Sequence, residues 1–511
     1  MVIKKAFISI SSFTIISRVL GFFRDLLLAS IIGVGITSDA FLIAFKLPNF
    51  FRRIFAEGAF NAAFVPLFAE ILHSGGKKDA IFFAEKILSL LLIGTIIFVI
   101  FAQVFMPSII YVFAPGYLPG SEQSELTIKL SRLTFPYLIL ISLVTLYSGI
   151  LNSLGKFASV AFTPIILNLF LIIGITSTNF ININSGELIA IAVTLAGIFQ
   201  LLWLLFPLYK LDIKIFLTLP YYTKKQKEFF KLFLPGVIGA SVVQINLLTD
   251  IIFASLLSKG SISFLYFADR INQLPLGVIG VALSTALLPI LSKKIAAKEE
   301  EKAIDIQNRS IELALFFGIP AMFVFIFFPQ EIIKPLFQRG AFTSSDTIST
   351  ANALAAYAYG LPAYILLKIF SVSFFSRKNT SIPVKVAIFA VCLNILLNFF
   401  LIKYYGHVGL AMATAISASV NVILLILILL YKRWWVFDFK LLKTIFKILL
   451  SSSAMVLILL LVNKYFIVKY SNYFNEIIML IVMVLSGLLV YIVLSKVFKI
   501  TGVIDLNLIK K

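Results

Sequence analysis

An all-α, polytopic membrane protein is the fold class this sequence predicts, and three observations predict it. Hydrophobic residues make up 60% of the 511, mean hydropathy is +1.05 and only 13% of residues are charged, a composition that no water-soluble domain of this size would carry on its surface. The chain falls into apolar runs of about 20 residues or more, the length an α-helix needs to cross a bilayer. The formal net charge of +21 is gathered mostly in short clusters between those runs, where lysine and arginine set topology against an anionic leaflet. That placement argues against nucleic acid as a partner.

Taken in order, the apolar segments are 8–32, 38–71, 81–106, 127–152, 158–180, 187–209, 229–257, 261–292, 309–329, 347–376, 381–402, 408–431, 441–463 and 475–497, fourteen transmembrane helices in all. The first begins behind Lys4 and Lys5 and runs past Arg18 without a small-residue cleavage site, so it reads as a retained span and not a signal peptide. The second contains Pro48 and the eighth Pro275; both are expected to be discontinuous, as helices around transporter sites are. An even number of spans puts both termini on one side. With the N-terminus cytoplasmic, "KLDIKIFLTLPYYTKKQKEFFK", "SKKIAAKEEEKAIDIQNR", "YKRWWVFDFKLLKTIFK" and the basic C-terminus all lie in the cytoplasm, which is the positive-inside arrangement. These connectors are read as solvated, and none is long enough for a soluble domain. The one cysteine, Cys392, excludes an intrachain disulfide and a cysteine metal cluster. His73 and His407 fall near predicted loops and read as solvated or satisfied side chains.

The sequence also repeats itself. Residues 39–67 laid over 262–290 match at Phe41/Phe264, Leu42/Leu265, Asn49/Asn272, Ala59/Ala282, Ala63/Ala286 and Pro66/Pro289, and "ILNLFLI" around Asn168 returns as "LLNFFLI" around Asn398. Span 2 therefore answers span 8 and span 5 answers span 11. Six spans separate the partners, so both halves face the same way, related by a pseudo-two-fold axis along the membrane normal. Two six-helix lobes follow, 1–210 (spans 1–6) and 211–432 (spans 7–12), with spans 13 and 14 (433–511) as an appendage without a counterpart.

Ionisable residues inside the spans concentrate in spans 1, 2 and 8: Arg18, Arg24, Asp25, Asp39, Lys46, Arg52, Arg53, Asp269 and Arg270. An arginine at the centre of a membrane helix costs roughly 2.5–3.5 kcal/mol on insertion scales, so these residues need a reason to be there. Arg18 and Asp25, two turns apart, share a helix face; Arg24 points elsewhere on an ideal helix, although Gly21 permits a bend. Ion pairing between helices and snorkelling account for some, Arg53 and Lys46 among them, but five arginines face three nearby carboxylates. The excess should face water in a cleft between the lobes, and a cationic cleft suits an anion. Arginine's forked donors match phosphate better than lysine's point charge. Three function classes compete on these facts. A flippase or transporter is favoured by the repeat, the broken helices and the cationic cleft. A transferase acting on polyprenyl phosphates would need a DDxxD-type cluster or a nucleophile with its base, and none is found in the sequence. An exporter of cationic drugs would call for acidic cavity residues.

At these same residues the chain resembles the lipid II flippases of bacterial cell-wall synthesis, the MurJ/MviN group of the MATE-like flippase and exporter superfamily. The resemblance covers essentially the whole chain and is carried by "SRVLGFFRD" (17–25), "DAFLIAFKLPNFFRRIFAEGAFNAAFVPLFAE" (39–70), "APGY" (114–117), "SFLYFADRINQLPLGV" (263–278) and "FQRGAFTSSDT" (337–347). It implies alternating access through a cavity between two lobes, with a groove built by spans 13 and 14 for a polyprenyl tail. It further implies that Arg18, Arg24, Arg52 and Arg270 hold the pyrophosphate and head group, with Asp39 also required and Asp25, Asn49, Asp269 and Gln273 in the cavity wall. The substrate so implied is lipid II, an undecaprenyl-diphosphate-linked disaccharide-pentapeptide, moved to the outer leaflet of the inner membrane for peptidoglycan synthesis and cell shape; another polyprenyl-diphosphate-linked glycan is the alternative. The resemblance points to a carrier and not an enzyme, a monomer among membrane lipids, alone or with the cell-wall synthesis machinery. Some members bind Na+ at positions matching Asp250, Asn394, Asn398 and Thr414. Here an amide, Asn398, stands for one carboxylate, which weakens a hard-cation site and leaves an Asp250 hydrogen-bonded to Asn394 or Asn398 as the competing expectation.

Overall fold

The computed structural model describes residues 2–219, 223–467 and 475–500. The basic tail 501–511, residues 220–222 of the central connector and the side chains of Lys4 and Lys5 lie outside the described residues. The first half runs α1 (Val2–Leu27), α2 (Ile36–Phe51), α3 (Asn61–Ser74), α4 (Gly76–Val104), α5 (Met106–Phe113), α6 (Glu122–Thr134), α7 (Tyr137–Ser153), α8 (Phe157–Ser177) and α9 (Ser185–Lys210). The second runs α10 (Lys224–Ser255), α11 (Ser261–Pro275), α12 (Val281–Ala296), α13 (Glu300–Phe327), α14 (Pro329–Phe337), α15 (Ser344–Ala358), α16 (Leu361–Phe375) and α17 (Ser381–Tyr431), followed by α18 (Phe439–Val462) and α19 (Glu476–Val497). Each of the fourteen predicted segments lies on helical chain. Nine helices among the described residues are long and apolar enough to cross a membrane, ten if the bent pair α15 and α16 forms one span. The count of fourteen is not reached by length and apolarity alone. α17 joins two predicted spans at Gly406, where the backbone turns to φ 54. α1, α2 and α10 fall outside those nine; α1 carries Arg18, Arg24 and Asp25, and α2 ends after 16 residues in a π-helical turn.

The internal repeat extends well past the six matched residues. Helices α4 and α13, α5 and α14, α6 and α15, α7 and α16, and α8 and α17 begin at residues 76 and 300, 106 and 329, 122 and 344, 137 and 361, and 157 and 381. Spans 2 and 8 break in the same way. Each has a proline, Pro48 or Pro275, before a π-helical stretch, Arg52–Phe60 or Leu276–Gly280, and then resumes as α3 or α12.

By contact the chain forms two compact units, Met1–Ser263 with Arg339–Phe342, and Phe264–Gln338 with Thr343–Lys511. In the first, α8 packs on α1 and α9, α2 on α6 and α9, and α10 on α3 and the π-helical Arg52–Phe60. The inclusion of four residues from the "FQRGAF" motif has a local cause: Ala341 donates its N–H to the Ser30 carbonyl at 2.8 Å. Gly340, at φ 58, has no room for a side chain there, since a Cβ would stand 2.1 Å from that same oxygen. In the second unit α13 is the central post, contacting α12, α15, α16 and α18. The appendage is tied to it by Trp435, whose Nε1 donates to Asn308 Oδ1 at 2.6 Å, and by Lys334–Glu476 at 2.7 Å.

Prolines in spans free a carbonyl four residues upstream, because proline has no N–H to give it, and in hydrocarbon no water replaces the lost donor. At four of these prolines a side chain does. Thr134 Oγ1 donates to the Ala44 carbonyl freed by Pro48 at 2.7 Å, and Gln103 Nε2 to the Arg132 carbonyl freed by Pro136 at 2.8 Å. Thr163 Oγ1 serves the Val160 carbonyl freed by Pro164 at 2.9 Å. Tyr491 of α19 reaches the Phe316 carbonyl freed by Pro320 at 2.7 Å. Tyr491→Phe should then cost about 1–3 kcal/mol, the penalty of a buried acceptor without a donor, and much less in a Pro320→Ala background, where the helix supplies its own N–H. Thermal unfolding of the four proteins in detergent checks this; equal losses in both backgrounds would mean that the tyrosine acts through packing alone.

Candidate functional site

The charged end of α1 is organised around one buried ion pair. Arg24 and Asp25 are 6% and 0% exposed, and the guanidinium folds back on its neighbour, Nε and Nη2 donating to Asp25 Oδ1 at 3.0 and 2.7 Å. Nη1 donates to Asn168 Oδ1 of α8 at 3.0 Å, and Asn168 Nδ2 donates in turn to the Ser17 carbonyl at 3.0 Å. Phe45 of α2 lies beneath the guanidinium at 5.9 Å. The sequence placed Arg18 and Asp25 on a common face with Arg24 apart. In the structure Arg24 is the aspartate's partner, because its long side chain spans the roughly 100° between successive helix positions. Arg18 is exposed and lines a pocket of about 400 Å³ with Thr14, Ser17, Asn152, Phe157 and Pro164. Its wall is apolar apart from those hydroxyls, the amide and the guanidinium.

Asp39, in the first turn of α2, is 1% exposed. Its Oδ2 accepts from Gly260 N at 2.7 Å, and Oδ1 from Ser263 N and Oγ at 2.9 and 2.6 Å. The carboxylate thus satisfies the orphan N–H groups at the start of α11 and complements that helix's dipole. Asn49 turns inward on its own helix, donating to the Phe45 carbonyl at 2.7 Å. Arg52 and Arg53 open the π-helical turn, half-buried and exposed respectively.

On α11, Arg270 is half-buried, stacked on Tyr266 at 5.4 Å, with Nη2 donating to the Tyr266 hydroxyl at 3.3 Å. Gln273 donates to Asp269 one turn away. Asn272, the repeat partner of Asn49, is buried and its Oδ1 has no donor. Of the residues matching a sodium site, Asn398 Nδ2 donates to Asn394 Oδ1 at 3.2 Å, Asn394 Nδ2 to Thr414 Oγ1 at 3.4 Å, and Thr414 Oγ1 to the Leu410 carbonyl at 3.1 Å. Asn398 Oδ1 is buried without a donor. Asp250 is half-buried on α10. No group of three or more His, Cys, Asp or Glu able to hold a metal ion occurs among the described residues.

The sequence profile of the family described as "Lipid II flippase MurJ" matches residues 28–487. The chain belongs to the MurJ family. Among its relatives, the probable lipid II flippase MurJ of Rickettsia prowazekii is 36% identical over 475 residues, 93% of each chain. That of Vibrio cholerae is 39% identical over 436 residues, 82% of each. A solved structure of lipid II flippase MurJ in an inward closed conformation superposes with a TM-score of 0.81 at 32% identity, covering 96% of this chain and 98% of that one. An inward-facing multidrug MATE transporter, at TM-score 0.70 and 16% identity over 83% of this chain and 97% of that one, shares the fold alone.

Three partners of the family motifs escaped the sequence reading: Asn168 for Arg24, Ser263 for Asp39 and Tyr266 for Arg270. The last two stand inside the quoted span-8 motif. Asn168 stood out only as the repeat partner of Asn398. Because Arg24 and Asp25 are buried together, removing one should hurt more than removing both. Asp25→Ala is expected to cost about 3–5 kcal/mol by removing the buried carboxylate to which Arg24 Nε and Nη2 donate, whereas Arg24→Met with Asp25→Leu should lose far less. Unfolding in detergent decides; a double variant as unstable as Asp25→Ala would show that the two charges do not act as a pair.

Proposed function

We propose that this chain flips lipid II from the cytoplasmic to the outer leaflet of the bacterial inner membrane by alternating access, as a carrier and not an enzyme. The observation that carries the reading is the family match along almost the whole chain, on a sequence that keeps Arg18, Arg24, Arg52 and Arg270 within its spans. The fourteen-span count, both termini in the cytoplasm, two six-helix lobes at 1–210 and 211–432, and a tail groove at 433–511 belong to this proposal. The helix-by-helix repeat supports the lobes. Arg18, exposed in its pocket, and Arg270, presented by Tyr266, are best suited to meet the diphosphate. Arg24, paired with Asp25, shapes the wall, and its hydrogen bond to Asn168, with that of Asn168 to Ser17, keeps α1 in register with α8. The carrier works as a monomer, alone or with the cell-wall synthesis machinery.

The membrane potential is the proposed driver: moving negative charge outward from a negative interior gains about 2.3 kcal/mol per charge per 100 mV. Sodium is given no step. Asn394 Oδ1 and Thr414 Oγ1 each accept a side-chain hydrogen bond, and at Asn398 an amide oxygen stands where a carboxylate would suit a hard cation better.

Depletion of the protein should deplete lipid II from the outer leaflet while it accumulates inside. Alanine at Arg18 or Arg270 should abolish complementation and lysine restore it at least in part, because a diphosphate needs positive potential first and geometry second; full function of both alanine variants at normal expression would remove the cationic-site reading. In vesicles with an imposed potential, flipping should survive loss of the sodium gradient. Loss of flipping on dissipating sodium alone, reproduced by Asp250→Ala, would restore a sodium site.

A further inference from the structure

The connector after α9 does not behave as a solvated loop. α9 ends at Lys210, and the positive φ of 52 at Asp212 turns the chain back, with Ile213 N bonded to the Leu208 carbonyl at 3.0 Å. Residues 213–219 then run without helix or strand, fastened to α4 by its side chains. Lys77 Nζ donates to the Leu211 carbonyl at 2.8 Å, and Lys86 Nζ to the Leu219 carbonyl at 3.1 Å. Glu85 Oε1 accepts from Phe216 N at 3.0 Å and Ser89 Oγ from Thr218 N at 3.2 Å. An extended chain presents the N–H groups of residues i and i+2 on the same edge, and it is this edge, at 216 and 218, that α4 holds. From Lys77 to Ser89 the fastening covers about 18 Å of helix. Lys86, 8% exposed, is an uncommon residue for a buried helix face, and the strap gives its ammonium an acceptor.

What the strap presents outward is apolar. Phe216, Leu217 and Leu219 are 63%, 64% and 87% exposed, with Lys214 exposed beside them. The strap leaves directly from the end of a helix long and apolar enough to cross a membrane, where Phe206 and Tyr209 are exposed, and lies along another, α4, where Phe82 is. We propose that residues 213–219 form an interfacial anchor. Phe216, Leu217 and Leu219 insert at the boundary of headgroups and acyl chains in the leaflet where α4 begins, and Lys214 meets anionic lipid headgroups. Two requirements fix that depth. Apolar side chains gain by leaving water. The backbone edge turned away from α4 still needs the water that headgroups retain, which the hydrocarbon core would deny it. The strap then fixes the connector between the two repeats to α4 up to residue 219.

The proposal is independent of what the protein carries, and its test measures depth. In a Cys392→Ala background, Leu217→Cys is labelled with an environment-sensitive fluorophore, with Glu301→Cys as the exposed comparison, in vesicles of phosphatidylglycerol and phosphatidylcholine. The label at 217 should emit to the blue of that at 301, be quenched by lipid doxyl-labelled near the headgroup, and lose most of the iodide quenching seen at 301. Glu85→Ala with Ser89→Ala, which removes both backbone acceptors, should raise iodide quenching at 217 severalfold and leave 301 unchanged. Iodide quenching at 217 equal to that at 301 in the parent protein would overturn the anchor, and an unchanged 217 signal in the double variant would overturn the fastening.

Discussion

Inside hydrocarbon no solvent repairs an unmade hydrogen bond, and most of this fold can be read as the answer to that constraint. A chain that breaks its spans with prolines must bring a donor to each carbonyl it frees. Thr134, Gln103, Thr163 and Tyr491 are four such donors. Three of the four come from another helix, so those three breaks also fix a packing contact. The same rule governs charge. Arg24 is tolerable because Asp25 and Asn168 stand against it, and Asp39 because the start of α11 supplies three donors.

This constraint separates the arginines into two kinds that composition alone could not distinguish. Arg24 is built into the structure, and its hydrogen bond to Asn168 ties α1 to α8. Arg18, six residues earlier, remains exposed in a pocket. Arg270 lies over the Tyr266 ring and donates to its hydroxyl, contacts that hold the guanidinium in place.

Hydropathy made the membrane class and the helical chain legible, because a span announces itself by length. The repeat was legible too: the Asn49/Asn272 and Pro66/Pro289 matches carried an offset that the helix starts reproduce. The partners were not. Nothing local to Pro320 points to Tyr491, 171 residues later in the chain, and nothing around Arg24 points to Asn168, since helix faces are read from periodicity but their neighbours are set by packing. The fastening of the connector 211–219 was not legible for a related reason. The side chains that satisfy its backbone, Glu85, Lys86 and Ser89, belong to a helix more than a hundred residues earlier.

All of this bears on one claim, that the chain carries a diphosphate-linked lipid across the bilayer. Its most direct measurement is the appearance of labelled lipid II at the opposite face of sealed vesicles containing the purified protein under an imposed potential, compared with vesicles holding an unrelated multi-span protein. The account expects faster transfer with this chain, slowed as a soluble diphosphate competitor is added on the loading side. Transfer no faster than in the comparison vesicles, with the protein folded and correctly inserted, would contradict it.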